Sequence, residues 1–131
     1  MKTVLVVDDT VEIRENVAEM LELANYNVIT AQNGREGCDL ARTQLPDLVV
    51  SDIMMPVVDG FEMLRMLRSD AKTSSIPFIF LTAKSERTES QNALAAGADG
   101  FITKPFSNDE LIEAVEVILT KREKAASQKS K

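Results

Sequence analysis

No histidine occurs anywhere in the chain, and cysteine occurs once, at Cys38. A zinc site built from nitrogen and sulfur ligands therefore has nothing to be made of, and an internal disulfide is excluded. A lone cysteine in a helix-like stretch reads as a small core residue in a reducing cytosol. No apolar run approaches the ~20 residues of a membrane span. Met1-Lys2-Thr3 leads straight into a short strand-like run without the pattern of a secretory signal, so the expected location is cytoplasmic. Also missing are a Walker-type phosphate loop, any internal repeat and, before the last eleven residues, any low-complexity stretch.

Positive charge is scarce except at one end. Residues 121–131 hold Lys121, Arg122, Lys124, Lys129 and Lys131 against the single acid Glu123. With a total of −6, the remaining 120 residues carry −10. An acidic body argues against broad contact with nucleic-acid phosphates. The segment 123–131 reads as a basic, disordered tail on a domain spanning 1–122.

Short apolar runs alternate with helix-like stretches. Strands are expected at 3–7, 26–31, 47–52, 77–81 and 99–103. In 11–24, Ile13, Val17, Met20, Leu21 and Ala24 fall on one helical face, as do Leu111, Val115, Ile118 and Leu119 in 107–122. Asn33 with Glu36, Asp59 with Glu62, and Ser107 with Glu110 have capping-box spacing. The weakest expected helix is 86–96, whose apolar residues are mostly alanines. Five β units alternating with five α units, with near-continuously apolar strands, imply a doubly wound parallel sheet covered on both faces.

The chemistry gathers where the strands stop. The run Val4-Leu5-Val6-Val7 ends on Asp8-Asp9, two carboxylates that would repel by about 4 kcal/mol at ~4 Å and an effective dielectric of ~20. The third strand ends at Asp52, the fourth at Thr82, the fifth at Lys104-Pro105. In an open parallel sheet these carboxyl ends share one edge, where a crevice opens at the reversal of strand order. A divalent cation would offset the repulsion among Asp8, Asp9 and Asp52, and an all-oxygen donor set without histidine favours Mg²⁺, or Mn²⁺, over zinc. Asp52 then becomes a candidate nucleophile toward a phosphoryl group, with Lys104 and Thr82 placed to meet its oxygens. Taken singly, each of these residues has an ordinary reading as a strand-end polar residue, cap or solvated lysine. Their order at successive strand ends is what distinguishes them.

In that order and spacing, "VVDD", "SDIMMPVVDG", "FLTA" and "GFITKPF" resemble a response-regulator receiver domain of two-component signalling, the class typified by the bacterial chemotaxis regulator, over residues 3 to about 122. The resemblance implies a flavodoxin-like three-layer sandwich with strand order 2-1-3-4-5 and five helices. It implies Asp52 as phosphoacceptor, Asp8, Asp9, Asp52 and the Met54 backbone carbonyl as metal ligands, Thr82 as switch hydroxyl and Lys104 as the charged partner, with a cis Lys104–Pro105 bond. Phe101 falls at the switch aromatic, often tyrosine in the family, so a hydroxyl is missing here. The implied protein is not an enzyme in the usual sense, since it turns over only its own phosphoryl group. Its partners would be a sensor histidine kinase or histidine phosphotransfer protein and an output protein docking on the 83–122 face. It would not bind nucleic acid or membrane directly, and would be a monomer or a weak phosphorylation-dependent dimer. A single-domain regulator is expected ahead of a receiver fragment of a longer DNA-binding or enzymatic regulator. A haloacid-dehalogenase-type phosphohydrolase fits less well, because its Asp-x-Asp-x-Thr signature is replaced by Asp8-Asp9-Thr10-Val11. A nucleotide- or flavin-binding domain fits poorly too, because its first loop would present two acids to a phosphate.

Overall fold

The computed structural model describes residues 1–55, 57–83 and 97–129. Strands β1 (Thr3–Val7), β2 (Asn27–Ala31), β3 (Leu48–Asp52), β4 (Phe78–Ala83) and β5 (Gly100–Lys104) form one parallel sheet in the order β2-β1-β3-β4-β5. Helices α1 (Val11–Leu23), α2 (Gly34–Gln44), α3 (Gly60–Ser69) and α4 (Asn108–Lys129) complete the described elements. The fold class and strand order agree with expectation. Four helices, not five, are seen among the described residues. The helix expected at 86–96 lies outside them, as do Pro56 and Lys84.

The two-residue period of the strands sorts the core into two layers. Leu5, Val7, Val49, Phe78 and Phe80 face one way, onto Cys38 and Ala41 of α2 and Met63, Leu64 and Leu67 of α3. Val4, Val6, Leu48, Val50, Ile79 and Leu81 face the other, onto Val17 and Leu21 of α1 and Leu111, Val115 and Leu119 of α4. A strand filled on both faces has no polar alternate positions, hence the unbroken apolar runs. Phe80 anchors the first layer, its ring 4.9 Å from that of Phe78 and 5.2 Å from that of Phe61. Burying such a side chain contributes about 1.5–3 kcal/mol.

All three capping signals act as read. The Asn33, Asp59 and Ser107 side chains accept from the amides of Glu36, Glu62 and Glu110 at 2.8, 2.9 and 3.1 Å. Helix α4, however, continues to Lys129, so the backbone of 123–129 is helical where an irregular tail was expected. Lys, Arg, Glu and Ala all propagate an established helix well. Near its end Arg122 donates to the Asp47 carbonyl at 2.8 Å, and Lys2 pairs with Glu123 at 3.2 Å. These contacts tie α4 to the amino edge of the sheet.

At the other edge, the loop after β3 must bring α3 back against the strand it left. Gly60 opens α3 with its amide on the Ile53 carbonyl at 2.8 Å. A Cβ there would lie 2.5 Å from the Asp52 carbonyl oxygen and 2.7 Å from Phe80 Cε1. Were the space open, Gly60→Ala would stabilise the helix, alanine being the better former. With backbone in the way, we expect Gly60→Ala to lower stability by about 2–3 kcal/mol in urea unfolding. A neutral or stabilising result would show that this close approach relaxes freely.

Candidate functional site

Strand order places the site. The chain leaves β1 for β2 on one side and returns to β3 on the other, so the ends of β1 and β3 adjoin with no crossover closing the gap between them. Asp8 and Asp9 follow β1, and Asp52 ends β3. One carboxylate oxygen from each of the three lies within 4.8 Å of the other two. The three carboxylates expected to converge from their places at strand ends therefore do meet.

Asp8 is wholly buried. Its Oδ1 accepts from the Thr10 amide at 2.9 Å, while Oδ2 has no hydrogen-bond partner. A buried carboxylate oxygen left unpaired costs about 1–3 kcal/mol or more and marks a place for a ligand. Burial pushes the Asp8 carboxyl above its ordinary range. The Thr10 amide and then the Lys104 charge pull it back, and Asp9 pushes it further up. Thr10 caps α1 without a side-chain hydrogen bond. In its place the start of α1 is tied down by that amide-to-Asp8 bond, which puts the positive end of the helix beside the acids.

Asp52 is also held up chiefly by burial. Lys104 lowers it and Asp8 raises it. Lys104 Nζ stands 3.4 Å from Asp52 Oδ1, and the Ile53 amide donates to the same oxygen at 2.9 Å. Lys104 reaches this point from the end of β5, just before a cis Lys104–Pro105 peptide. Thr82 is buried, one residue inside the end of β4, and pairs in register with Thr103. Phe101 pairs with Phe80 and remains 41% exposed. The Met54 side chain is exposed, while Met55 and Met63 are buried core filler and Cys38 is buried as expected.

Sequence reasoning missed several contacts, near the site and away from it. Arg14, one turn into α1, donates to the Asp8 backbone carbonyl at 2.8 Å. Val57 adopts φ 68° in the loop after β3, strained for a β-branched residue. Arg68 of α3 bonds the Ile76 carbonyl at 2.6 Å, the Gly97 carbonyl at 3.2 Å and Asp99 at 3.1 Å. The same Asp99 oxygen accepts from the Phe78 amide at 2.8 Å, so α3, β4 and the approach to β5 are clamped together.

Hard oxygen donors, a three-carboxylate cluster and an unpaired buried oxygen together fit a divalent cation of the Mg²⁺ kind. No helix among the described residues is long and apolar enough to cross a membrane. Known proteins share both sequence and fold with this chain. The family model of the response regulator receiver domain matches residues 4–116. Protein PilH of Pseudomonas aeruginosa is 37% identical over 119 residues, covering 91% of this chain and 98% of its own. The phosphate regulon transcriptional regulatory protein PhoB of the same species is 42% identical over 118 residues, covering 90% of this chain and 52% of its own. The chain thus spans about half the length of PhoB, and likewise of response regulator Rre1 of Synechocystis, of which it covers 54%. Among solved structures, the chemotaxis response regulator CheY4 of Vibrio cholerae superposes with a TM-score of 0.84 at 35% identity, covering 90% of this chain and 98% of its own. With a family match across most of its length and relatives alike in sequence and in fold, the chain belongs to the response regulator receiver domain family.

Proposed function

We propose that Asp52 is the phosphoacceptor of a phosphorylation-controlled switch, fed by a phosphohistidine on a sensor kinase or phosphotransfer protein, in a unit spanning residues 1–122. The observation that carries this reading is the convergence of Asp8, Asp9 and Asp52 within 4.8 Å with Lys104 at 3.4 Å from Asp52. Both contacts to Asp52, from Ile53 and from Lys104, fall on Oδ1, which leaves Oδ2 to attack phosphorus. The new bond is from Oδ2 to phosphorus. The bond broken is from phosphorus to the donor imidazole nitrogen, which keeps the electron pair.

Asp8, Asp9, Asp52 and the Met54 backbone carbonyl would hold Mg²⁺, or Mn²⁺. When bound, the cation draws charge from the phosphoryl oxygens. The remaining work falls to side chains. Lys104 balances the Asp52 charge before transfer and faces the phosphoryl oxygens after it. The Thr82 hydroxyl turns toward those oxygens, and Phe101 moves inward beside it. Phe101 carries no hydroxyl, so its part is steric alone. The 83–106 face, of which residues 84–96 lie outside the described ones, changes shape with it, and an output partner docking on 83–122 reads the change. The partner reads protein surface and not nucleic acid, in keeping with the acidic body. The setting is cytoplasmic, and turnover is confined to the protein's own phosphoryl group.

Asp52→Asn should abolish labelling by a small phosphodonor such as acetyl phosphate, a loss of at least ~100-fold. Labelling at the wild-type rate would remove Asp52 from the role. The same substitution deletes one of three mutually repelling carboxylates, of which Asp8 is buried, Asp52 half-buried and Asp9 exposed. In metal-free buffer we therefore expect it to raise stability by on the order of 1 kcal/mol, or Tm by about 3–6 °C at this size.

The pH dependence has a definite sign. Asp8 and Asp52 hold their protons to higher pH in the folded, metal-free chain than in the unfolded one, where 3.8 is ordinary. Their contribution to metal-free stability is full below that ordinary value and is lost as pH rises through the raised values. Mg²⁺ needs both carboxylates ionised, so it runs the other way. The rise in Tm on adding Mg²⁺ should be large at pH 7 and shrink as pH falls toward the raised range. It should vanish at every pH in Asp8→Asn. Differential scanning calorimetry serves, since the chain has no tryptophan for fluorescence. A pH-independent Mg²⁺ effect, or one that survives in Asp8→Asn, would place the cation elsewhere.

A further inference from the structure

The turn that carries the acids from β1 into α1 is Asp8-Asp9-Thr10, and it holds no glycine or proline to stiffen it. Thr10 caps α1 without a side-chain hydrogen bond. What holds the turn is a set of ties that all end on Asp8. Its amide donates to the Ala31 carbonyl at 3.1 Å, its Oδ1 accepts from the Thr10 amide at 2.9 Å, and its carbonyl accepts from Arg14 Nη1 at 2.8 Å. The partners in the first two are backbone groups that any sequence would supply there. The third needs a long cationic side chain reaching back six residues over the first turn of the helix.

By charge alone, Arg14 stands in the wrong place. A guanidinium beside a site for a divalent cation opposes that cation. Were it there to balance the acids, it would pair with one of their carboxylates. Among the described residues Arg14 enters no ion pair. Its donor goes to the backbone of Asp8 and leaves Oδ2, the buried oxygen without a hydrogen-bond partner, open. A charge-assisted bond to a carbonyl is short and strong. Here it fixes the peptide from which the carboxylate hangs without occupying the carboxylate.

We infer that Arg14 is a positioning residue of the acidic site: by holding the Asp8 carbonyl it fixes the Asp8 carboxylate in the narrow geometry that a small divalent cation requires. It acts through Asp8, not by contact with the cation, and the inference rests on the reading of Asp8 as a cation ligand. Mg²⁺ demands near-ideal octahedral geometry, whereas Ca²⁺ accepts a looser one. A lock on one ligand therefore favours Mg²⁺ over Ca²⁺, and its loss costs Mg²⁺ more. The two cations carry the same charge. In the ratio of their affinities the electrostatic effect of removing a guanidinium cancels, and the effect of position remains.

Amide NMR titration of the full, metal-free, ¹⁵N-labelled chain with Mg²⁺, and separately with Ca²⁺, gives both affinities and shows whether each variant is folded. Arg14→Met keeps the aliphatic stem and loses the donor. Although it removes a positive charge, it should weaken Mg²⁺ binding at least ~10-fold, the usual loss when a group that orients a metal ligand is taken away. It should weaken Ca²⁺ binding less, lowering the Mg²⁺-to-Ca²⁺ affinity ratio at least ~3-fold. Arg14→Gln, too short to reach the carbonyl, should do the same and serves if Arg14→Met does not fold. Arg14→Lys should stay within ~3-fold of wild type for both cations, because a single nitrogen makes the contact and an ammonium can replace it. Asp8→Asn is the control for the site itself and should lose Mg²⁺ binding outright. Unchanged or tighter Mg²⁺ binding in Arg14→Met, or an unchanged ratio, overturns the proposal and leaves Arg14 a structural tie that moves only Tm. So does a loss in Arg14→Lys equal to that in Arg14→Met. Wild-type Mg²⁺ affinity in Asp8→Asn overturns the cation site, and this proposal with it.

Discussion

Three carboxylates crowded into the end of a sheet, with the Lys104 ammonium beside them, are the constraint on which the rest of the structure depends. Asp8 is fully buried with one oxygen unpaired, and the Lys104 ammonium stands 3.4 Å from Asp52. A fold left to maximise its own stability would not hold such a group. At an effective dielectric of ~20, each pair of ionised carboxylates about 5 Å apart repels by ~3 kcal/mol, a sizeable fraction of a domain's ~5–15 kcal/mol net stability. The chain carries that cost because both hydrophobic layers are closely packed around β1 and β3, the two strands that deliver the acids. Val4, Leu5, Val6, Val7, Leu48, Val49 and Val50 are all fully buried.

The same crowding gives the site its capacity to act as a switch. A ligand can shift a conformational equilibrium only by its differential free energy with the two states. Here the acids, Lys104 and the start of α1 form one coupled set, so any change of charge at Asp52 is felt by all of them. Lys104 sits at the end of β5, and Thr82 one residue inside the end of β4. A pull on either acts on strands that hydrogen-bond to each other along their length. Phe101 on β5, paired in register with Phe80, keeps its ring half-exposed.

What could be read in the sequence was what is local or periodic. The strands appear as apolar runs because both sheet faces are covered, and the three caps as fixed three-residue spacings. The meeting of the acids and Lys104 was legible because α/β topology sends every strand's carboxyl end to one edge, so Asp8, Asp9, Asp52 and Lys104 needed only their places at strand ends to be gathered. Contacts made across the chain without such a rule were not legible. Nothing in the sequence marks Arg68 as the clamp on Asp99, or Arg14 and Arg122 as donors to the Asp8 and Asp47 carbonyls. Each is an arginine on a helix surface, and a surface arginine is ordinarily solvated. The helical backbone of α4 runs on to Lys129, beyond residue 122, where the domain was expected to end. Its basic composition suggested solvation, whereas helix propensity, which charge does not reduce, decided the backbone.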